Sequence, residues 1–466
     1  MDFSTLEKRR AACENEIAIN RQSAPELYLG VVPITKDASG LHLGGPGDVV
    51  EWAVHLRRFD EEATLDRMVA RGGRLDSELI AVLAQRVEAM HRRASVSRDS
   101  ATATRALRAA MDETMSELRQ SPEFVAPALA TELAQSVTRD FDRLEPLLLS
   151  RGDHRHVRRC HGDLHLRNIV LIDKEPVIFD ALEFDDALAT TDTLYDLAFL
   201  LMDLCRHGLT TEANQLLNHY LWRCADEKSE IEGLAGLPLF LALRALIRAK
   251  VTITQMRLLP QGAVRAPVQS EINSYLYAAR AFLDPAPARI IAIGGLSGTG
   301  KTTLAAAIAP EIGAPPGALH LRSDIERKRL FGIDPSTHLG REGYDASVTS
   351  RVYRTLTDYA ASAVGSGRSV IVDATFRLPQ EREAIAEAAE RHPVPFIGIW
   401  LEAPREVLLA RVAARQRDAS DATQLVVTAQ LGEVPGQISW TRLDAGQSIE
   451  KLKAAVLQLI ARHHTS

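Results

Sequence analysis

The most constraining feature of this 466-residue chain is the stretch 290–304, which reads IIAIGGLSGTGKTTL. An apolar, β-branched run leads into Gly295-x-x-x-x-Gly300-Lys301-Thr302, and a helical pattern follows at once. A strand, a glycine-rich loop and a helix in this order form the context in which the motif holds nucleotide phosphates. The sequence therefore predicts a nucleotide-binding domain around residue 300.

Each residue type in this loop has a reason to be there. Glycines let backbone N–H groups approach phosphate oxygens, and the helix that begins near Lys301 adds the positive end of its dipole. We expect Lys301 to reach the β- and γ-phosphates of ATP, with GTP as an alternative, and the Thr302 hydroxyl to bind Mg²⁺. The predicted nucleotide-binding residues are Gly295, Ser297, Gly298, Thr299, Gly300, Lys301, Thr302 and Thr303.

A second phosphate-chemistry signature, of a different kind, lies at residues 161–180. His161-x-Asp163 is followed five residues later by Asn168, and then by an apolar strand that ends in Asp180. This is the spacing of a kinase catalytic loop and its metal-binding aspartate. We expect Asp163 to orient and deprotonate a substrate hydroxyl, and Asn168 and Asp180 to hold Mg²⁺.

Composition narrows the class of protein. The hydrophobic fraction is 46% and the charged fraction 25%, which is typical of globular proteins, and the length predicts two or three domains. The net charge of −6 argues against a long nucleic-acid partner. The four cysteines are scattered, and neither a signal peptide nor an apolar run of membrane-spanning length is visible. We therefore expect a cytoplasmic protein without a membrane partner.

A short proline-rich stretch at 284–287 separates the two signatures and predicts a boundary between domains 1–284 and 285–466. The first domain is predicted to be helix-rich, with strands at 26–34 and 49–59 and helices at 77–93, over 100–150, over 190–227 and at 236–257. In the second, strands at 317–321, 369–373 and 396–401 alternate with helices at 346–364, 379–391 and 404–417. This alternation predicts a parallel sheet flanked by helices.

Polar residues follow the predicted strands of the second domain, at the edge where parallel sheets bind ligands. Asp324 is the predicted general base, although it could also cap the following helix, and Arg327 is expected to bind an anionic part of the acceptor. Asp373 occupies the Walker-B position, where we expect it to hold Mg²⁺; the alternative is an acid in a strand-end turn. Arg377 is expected to line the acceptor pocket.

The helix after residue 404 carries arginines that are candidates for a lid over the phosphates. Arg411 and Arg415 are one turn apart on one face, and Arg417 follows them. Guanidinium groups stabilise the charge on a transferred phosphoryl group, so we expect Arg411 and Arg415 to bind nucleotide and Arg415 to be catalytic. The alternative is that these side chains are simply solvated.

The whole chain resembles bacterial fusions of an aminoglycoside-phosphotransferase-like domain with a small P-loop kinase domain. The form HGDxHxxN, with His165, resembles aminoglycoside and choline phosphotransferases, and the Asp324/Arg327 pair resembles polynucleotide kinases and zeta-type toxin kinases. The matching segments are DFSTLEKRR (2–10), ELYLGVVPI (26–34), HGDLHLRN (161–168), VIFDALEFDD (177–186), DTLYDLAFLLMDL (192–204) and GLSGTGKTTL (295–304).

This resemblance implies an α+β, protein-kinase-like N-terminal domain and an α/β P-loop NTPase domain with a parallel sheet flanked by helices. Fuller members of the family carry an upstream segment with a Lys-bearing strand, whereas this sequence starts at Met1. If the helix near residues 6–20 offers Glu14 or Glu16 to that lysine, the partner is missing. We therefore expect a truncated small lobe, and ATP bound mainly by the C-terminal domain.

The predicted function is ATP- and Mg²⁺-dependent transfer of the γ-phosphoryl group to a hydroxyl of a small-molecule, sugar- or aminoglycoside-like acceptor. Two alternatives stay open. One is a polynucleotide, nucleotide-end or zeta-toxin-like kinase. The other is an ATP-binding regulatory protein whose N-terminal domain is a pseudokinase. The sequence makes no prediction about oligomeric state.

Overall fold

The structure, a computed structural model, describes residues 3–97, 99–258, 266–335, 337–414, 420–432 and 435–462. The chain divides into two compact units. The first contains Met1–Tyr220 and Gly236–Leu283, and the second contains Leu221–Ala235 and Asp284–Ser466. The division after residue 283 lies beside the predicted boundary, whereas the segment 221–235, predicted within the first domain, groups with the second unit.

Helices predominate before residue 284, and strands and helices alternate after it. The helices are α1 (Leu6–Asn20), α2 (Leu65–Ala70), α3 (Ser77–Arg93), α4 (Ser100–Arg119), α5 (Pro127–Asp153), α6 (Asp186–Ala189), α7 (Thr193–Arg206), α8 (Thr210–Leu221), α9 (Glu227–Gly233), α10 (Leu237–Leu258), α11 (Ala266–Leu283), α12 (Lys301–Ile308), α13 (Ser323–Leu330), α14 (Ala346–Gly365), α15 (Pro379–Arg391), α16 (Arg405–Ala413), α17 (Gln424–Leu431) and α18 (Ile449–Arg462). The strands are β1 (Tyr28–Asp37), β2 (Gly40–Leu43), β3 (Asp48–Leu56), β4 (Val157–Arg159), β5 (Ile169–Ile172), β6 (Glu175–Ile178), β7 (Thr190–Asp192), β8 (Ile290–Gly295), β9 (Leu319–Arg322), β10 (Val370–Asp373), β11 (Phe396–Glu402) and β12 (Thr441–Asp444).

A three-stranded antiparallel sheet in the order β2-β1-β3 begins the first unit. Its apolar face forms one core cluster with Ile17 of α1 and with Val170 and Val177 of the β5–β6 hairpin. Antiparallel strands with one apolar face bury that face against a neighbouring layer. The hairpin that carries the catalytic-loop signature is therefore fixed against this sheet.

Helices form the rest of the first unit. Residues 193–204 of α7 are all buried, and α10 packs against both α7 and α11. The helical region predicted over 190–227 is divided after α7 by a turn at Gly208, whose φ of 76° favours glycine. No helix in the described ranges combines the length and apolarity that crossing a bilayer requires.

The second unit is built on a five-stranded parallel sheet in the order β12-β11-β8-β10-β9. Strand β8 is buried along its whole length, as a strand covered on both faces should be. Ile291, Ile293 and neighbouring strand residues pack against Leu304 of α12 and Val456 of α18. Strand β8 lies in the middle of the sheet, with β10 and β9 on one side and β11 and β12 on the other. The strand order therefore changes direction at β8, and a topological switch point lies at its carboxyl end.

The segment 221–235 is an integral part of the second unit. Trp222 donates its indole N–H to the carbonyl of His320 on β9, at 2.8 Å. Helix α9 contacts α14. Glu227 is 1% exposed and forms an ion pair with Arg329 of α13. A buried carboxylate is tolerated only when it is paired in this way.

Candidate active sites

The glycine-rich loop joins β8 to α12 through backbone conformations that favour glycine. Gly295 has φ of 134°, and a Cβ there would lie 2.5 Å from the carbonyl oxygen of Leu401. Gly298 has φ of 88°, and a Cβ would lie 2.9 Å from the carbonyl of Leu408. These glycines are therefore needed because a side chain would collide with neighbouring backbone, as well as to leave space for a phosphate.

The side chains that follow the loop supply a cation and oxygen ligands. Lys301 Nζ lies 3.1 Å from the carbonyl oxygen of Leu296, curled back over the loop. The Thr302 hydroxyl donates to Asp373 Oδ2 at 2.5 Å. A hydroxyl and a carboxylate side by side form an oxygen donor set of the kind that Mg²⁺ prefers, so these residues fit the predicted metal.

Asp373 ends β10 and is buried near three basic groups. Burial raises the pKa of Asp373, but a hydrogen bond from His320 and the charges of His320, Lys301 and Arg322 outweigh it and lower the pKa to about 2. His320 Nε2 lies 3.4 Å from Asp373 Oδ2. Asp373 is therefore ionised at neutral pH, as a metal ligand must be.

Two further contacts to these groups come from residues that sequence reasoning missed. His320 lies on β9, and nothing in its sequence context marks it as a partner of a residue 53 positions away. Gln430 on α17 accepts the backbone N–H of Ser297 through Oε1, at 2.9 Å. Sequence spacing carries no signal for either contact, because both depend on tertiary packing.

Most of the predicted C-terminal site residues line one cavity of about 690 Å³. A cavity of this size is in the range of small-molecule sites. Gly295, deeper in the loop, is not part of the lining. The predicted residues on its walls are Ser297, Gly298, Thr299, Gly300, Lys301, Thr302, Thr303, Asp324, Arg327, Asp373, Arg377 and Arg411.

Asp324 faces this cavity from the first turn of α13. Burial raises the pKa of Asp324, against the opposing effects of Arg322 and of a hydrogen bond with Ser420. The N-cap of α13 is Arg322, so the expectation that Asp324 caps the helix is wrong. A carboxylate with a raised pKa is better suited to accept a proton than an ordinary aspartate.

Arg327 lies one turn further along α13 and is tied to the cavity wall. Its Nη1 donates to the carbonyl of Gly343 at 2.6 Å and to the Thr349 hydroxyl at 3.1 Å, and its guanidinium lies over the Tyr344 ring. Its buried Nε has no hydrogen-bond partner among the described residues. Arg327 therefore links α13 to Gly343 and Thr349 beside the cavity.

The predicted lid arginines have separate outcomes. Arg411 donates from Nη2 to the carbonyl of Ala445 at 2.9 Å and from Nη1 to that of Thr299 at 3.5 Å, which places it against the glycine-rich loop. Arg415 and Arg417 lie outside the described residues, and their predicted roles stay predictions.

Asp421 follows shortly after Arg417 in the sequence and makes contacts that the sequence did not predict. It forms an ion pair with Lys328 at 3.2 Å, and Oδ2 accepts the N–H of Leu339 at 3.0 Å and the hydroxyl of Tyr344 at 3.2 Å. Lys328 is 1% exposed, so the pair is shielded from water. Asp421 therefore joins α13 to the loop on the acceptor side of the cavity.

In the first unit, the catalytic-loop residues converge as their spacing predicts. Asn168 Nδ2 donates to Asp163 Oδ2 at 3.1 Å, and His165 Nε2 lies 3.3 Å from the same oxygen. Burial raises the pKa of Asp163, but the hydrogen bond and charge of His165, with smaller effects of His161 and Arg248, lower it to about 2. Asp196 supports the loop by accepting the N–H of Gly162 at 2.8 Å.

Asp180, the other predicted metal ligand, follows β6 in a left-handed conformation with φ of 62°. Its N–H donates to the Tyr28 hydroxyl at 3.1 Å, and the preceding residue, Phe179, donates its N–H to the carbonyl of Asn168. Asp180 and Asn168 are therefore brought to the same end of the hairpin, where their oxygens could hold a divalent cation.

Glu16 of α1 lies near two other acids, Asp180 and Glu183. Burial, with the negative charges of Glu183 and Asp180, raises the pKa of Glu16 on α1 to about 7. Within the described part of the chain Glu16 forms no ion pair, whereas Glu14 pairs with Arg10 at 2.8 Å.

Comparisons with known proteins add independent information. Residues 3–234 match the family model described as phosphotransferase enzyme family, and residues 290–435 match the model described as AAA domain. An uncharacterized protein of Mycobacterium tuberculosis is 30% identical over 459 residues, which cover 96% of this chain and 86% of that protein.

Two kinases are similar to part of this chain. The adenylyl-sulfate kinase of Myxococcus xanthus is 30% identical over 123 residues, covering 26% of this chain and 62% of that protein. A gluconokinase structure from Sinorhizobium meliloti is 21% identical, covers 38% of this chain and 94% of its own, and has a TM-score of 0.28.

Proposed function

Because this chain belongs to a family of two-domain proteins that joins an aminoglycoside-phosphotransferase-like domain to a P-loop kinase domain, we propose that it phosphorylates a hydroxyl of a small molecule with ATP. The predicted family, fold class and phosphotransferase activity are confirmed by the two family matches. The acceptor, the ATP-binding unit and the residue roles are our proposal.

One observation supports the proposal most directly. The cavity of about 690 Å³ holds the glycine-rich loop, Lys301, the Thr302–Asp373 pair and Asp324 on shared walls. A phosphate-binding loop and a carboxylate with a raised pKa at the carboxyl ends of β8 and β9 are the two parts that in-line transfer to a hydroxyl requires. We therefore propose that ATP binds mainly in the second unit.

The residues would divide the chemistry as follows. Asp324 takes the proton of the acceptor hydroxyl as its oxygen approaches phosphorus, and the raised pKa favours that transfer. Lys301 and Arg411 stabilise negative charge on the phosphates, and Arg415 is proposed to do so as well. Arg327 and Arg377 would contact the acceptor. The products are ADP and a phosphate ester of the acceptor.

Bound Mg²⁺ would neutralise phosphate charge in this site. Thr302 and Asp373 would hold it, and the low pKa of Asp373 keeps that carboxylate ionised. His320 fixes the orientation of Asp373 from behind. In the first unit, Asn168 and Asp180 are the residues proposed to hold a separate Mg²⁺.

The acceptor is proposed to be a polar, sugar-like or aminoglycoside-like molecule. The acceptor side of the cavity carries hydroxyl and aromatic side chains, Tyr344, Thr349, Tyr353 and Thr375, beside the two arginines. Hydroxyl and guanidinium groups bind polyhydroxylated or anionic ligands through hydrogen bonds. This lining supports a small polar acceptor without selecting one compound.

The test follows transfer of label from γ-³²P-ATP to separate acceptors: gluconate, hexoses, kanamycin and a 5′-hydroxyl oligonucleotide. We expect label in a small molecule, and a roughly 10²–10⁴-fold slower transfer by Asp324→Asn at unchanged ATP affinity, because a positioned general base is lost. Asp358→Asn, on the exposed face of α14, is the control. Label in the oligonucleotide alone would instead establish the nucleotide-end kinase, and lost ATP affinity in Asp324→Asn would remove its role as base.

A further inference from the structure

A separate cavity of about 300 Å³ opens beside Asp163 in the first unit. One wall is a face of α4, on which Ala103, Ala106, Leu107 and Ala110 recur at helical spacing. These side chains are only half-buried, so the helix presents apolar surface to the cavity instead of to the protein core.

The other walls are also apolar. Leu182 and the more exposed Phe184 and Leu188 contribute one side, and Tyr195 and Phe199 of α7 contribute the floor. Transfer of apolar surface out of water lowers the free energy, so a ligand that displaces water from this surface with apolar groups is favoured. A molecule that fills this cavity should therefore have an apolar body.

The charges on the lining are mostly basic. Arg244, Arg248 and Lys250, all from α10, face two carboxylates, those of Asp163 and Glu113. Lys250 already pairs with Glu113 at 2.9 Å, at the rim, where the Glu113 side chain is 68% exposed. The other charged side chains on the lining are Arg244, which also lies near the buried Asp196, and Arg248 and Asp163.

Arg244 has a supporting position. It is 6% exposed, lies over the Tyr195 ring at 3.9 Å, and donates from Nη1 to the carbonyl of Gly162 at 3.2 Å. Its Nη2 has no hydrogen-bond partner among the described residues, and lies 3.8 Å from Asp196 Oδ1. Arg244 thus adds positive charge under the catalytic loop.

Arg248 is the cation best placed to meet a ligand. It is half-buried, lines the cavity one turn from Arg244, and hydrogen-bonds Tyr275, a neutral group. The carboxylates of Asp163 and Asp203 act on it through their charge. An incoming anionic group would therefore complement Arg248 without displacing a carboxylate from it.

We propose that this cavity binds a hydroxyl-bearing small molecule with an apolar body and one anionic group, its hydroxyl toward Asp163 and its anionic group toward Arg248. This differs from the polycation that the HGDxHxxN resemblance to aminoglycoside phosphotransferases implies. A polycation would bring several ammonium groups against two arginines and an apolar wall, where unpaired charges are costly. The proposal concerns the first unit and does not depend on where ATP binds.

The test measures binding to the full chain by ligand-observed NMR titration without nucleotide. Two probes share one body and differ in charge: para-hydroxymethyl phenylacetate and para-hydroxymethyl phenethylamine; kanamycin is the third. We expect the carboxylate to bind at least about tenfold more tightly than the amine, because it gains a charge-assisted hydrogen bond. Arg248→Gln should remove this preference, and Leu107→Trp should weaken binding of the carboxylate by filling the cavity.

Arg143→Gln, on the exposed side of α5, controls for the loss of an arginine, and Ala103→Leu replaces Leu107→Trp if that variant does not fold. The proposal is overturned if the amine or kanamycin binds as tightly as the carboxylate, or if the carboxylate does not bind. It is also overturned if carboxylate binding survives the cavity-filling substitution, since the ligand would then lie elsewhere.

Discussion

Two acids, one in each unit, lie in opposite electrostatic surroundings. In the second unit, Asp373 has a pKa lowered to about 2 beside His320, Lys301 and Arg322. In the first unit, Glu16 faces Asp180 and Glu183, and its pKa is raised to about 7. A site that must collect a triphosphate needs positive charge already in place. The surroundings of Asp373 have this positive charge and those of Glu16 do not, which is why ATP is proposed to bind mainly in the second unit.

The largest expected effect comes from removing the cation of the second unit, Lys301, and it tests this comparison most directly. Lys301→Ala should lower ATP turnover by roughly 10²–10³-fold, the usual loss when a group that stabilises transition-state charge is removed. Asp163→Ala should leave most turnover in place, because ATP is proposed to bind mainly in the second unit. Steady-state ATPase or kinase assays measure both, with Lys453→Ala on α18 as the charge control. The reverse pattern would make the first unit the working kinase.

The next effect tests the metal side of the second unit. Asp373→Asn should raise the Mg²⁺ concentration needed for half-maximal turnover roughly 10–100-fold. Asn keeps the shape of the side chain but removes the charge that orients the Thr302 hydroxyl and the ion. Turnover titrated with Mg²⁺ at saturating ATP measures the shift. An unchanged Mg²⁺ requirement would show that Asp373 only closes the end of β10.

A smaller effect concerns the support of the glycine-rich loop. Gln430→Leu removes the acceptor of the Ser297 N–H, which should weaken ATP binding about fivefold, the worth of one neutral hydrogen bond. Calorimetry measures the change, and Gln424→Leu, exposed on the same helix, is the control. Tighter ATP binding would mean instead that Gln430 occupies a position that phosphate must take.

The smallest effect sharpens the comparison from the first unit. Since burial and two nearby acids raise the pKa of Glu16 from 4.5 to about 7, the folded state binds more protons than the unfolded state between those values. Stability should therefore fall as pH rises from about 4.5 to 7, and Glu16→Gln should abolish this loss. Above pH 7 the variant should be more stable by about 1 kcal/mol, a value reduced for solvent screening.

Urea unfolding at pH 4.5 and pH 8 measures that difference. Glu14→Gln on the same helix is the matched control, because Glu14 is exposed and paired with Arg10. Equal shifts for both variants at pH 8 would show that the effect belongs to α1 generally. A basic residue near Glu16 would then have to be sought.

Local patterns predicted much of this structure. The loop at 295–302, the 161–168 signature and the alternating segments after 317 fixed both fold classes, and the predicted helix 77–93 matches α3 residue for residue. The contacts of His320, Gln430 and Asp421 could not be predicted, since each joins residues that are distant in sequence and chemically ordinary by type. Asp324 was predicted from its place after a strand, and its role stays a proposal; its raised pKa depends on burial that no spacing encodes.

The threading of residues 221–235 has a consequence for how such a protein can be cut or inherited. These residues enter the chain before α10 and α11 of the first unit, yet Trp222 and Glu227 complete the surroundings of β9 and α13. A gene fragment that starts at codon 285 would encode the sheet, the loop and the proposed base, and Arg329 would keep its ion pair with Glu326 but lose the one with Glu227. A single crossover between genes cannot therefore transfer the second unit intact. Exchange of the C-terminal half would also have to carry the short upstream segment 221–235.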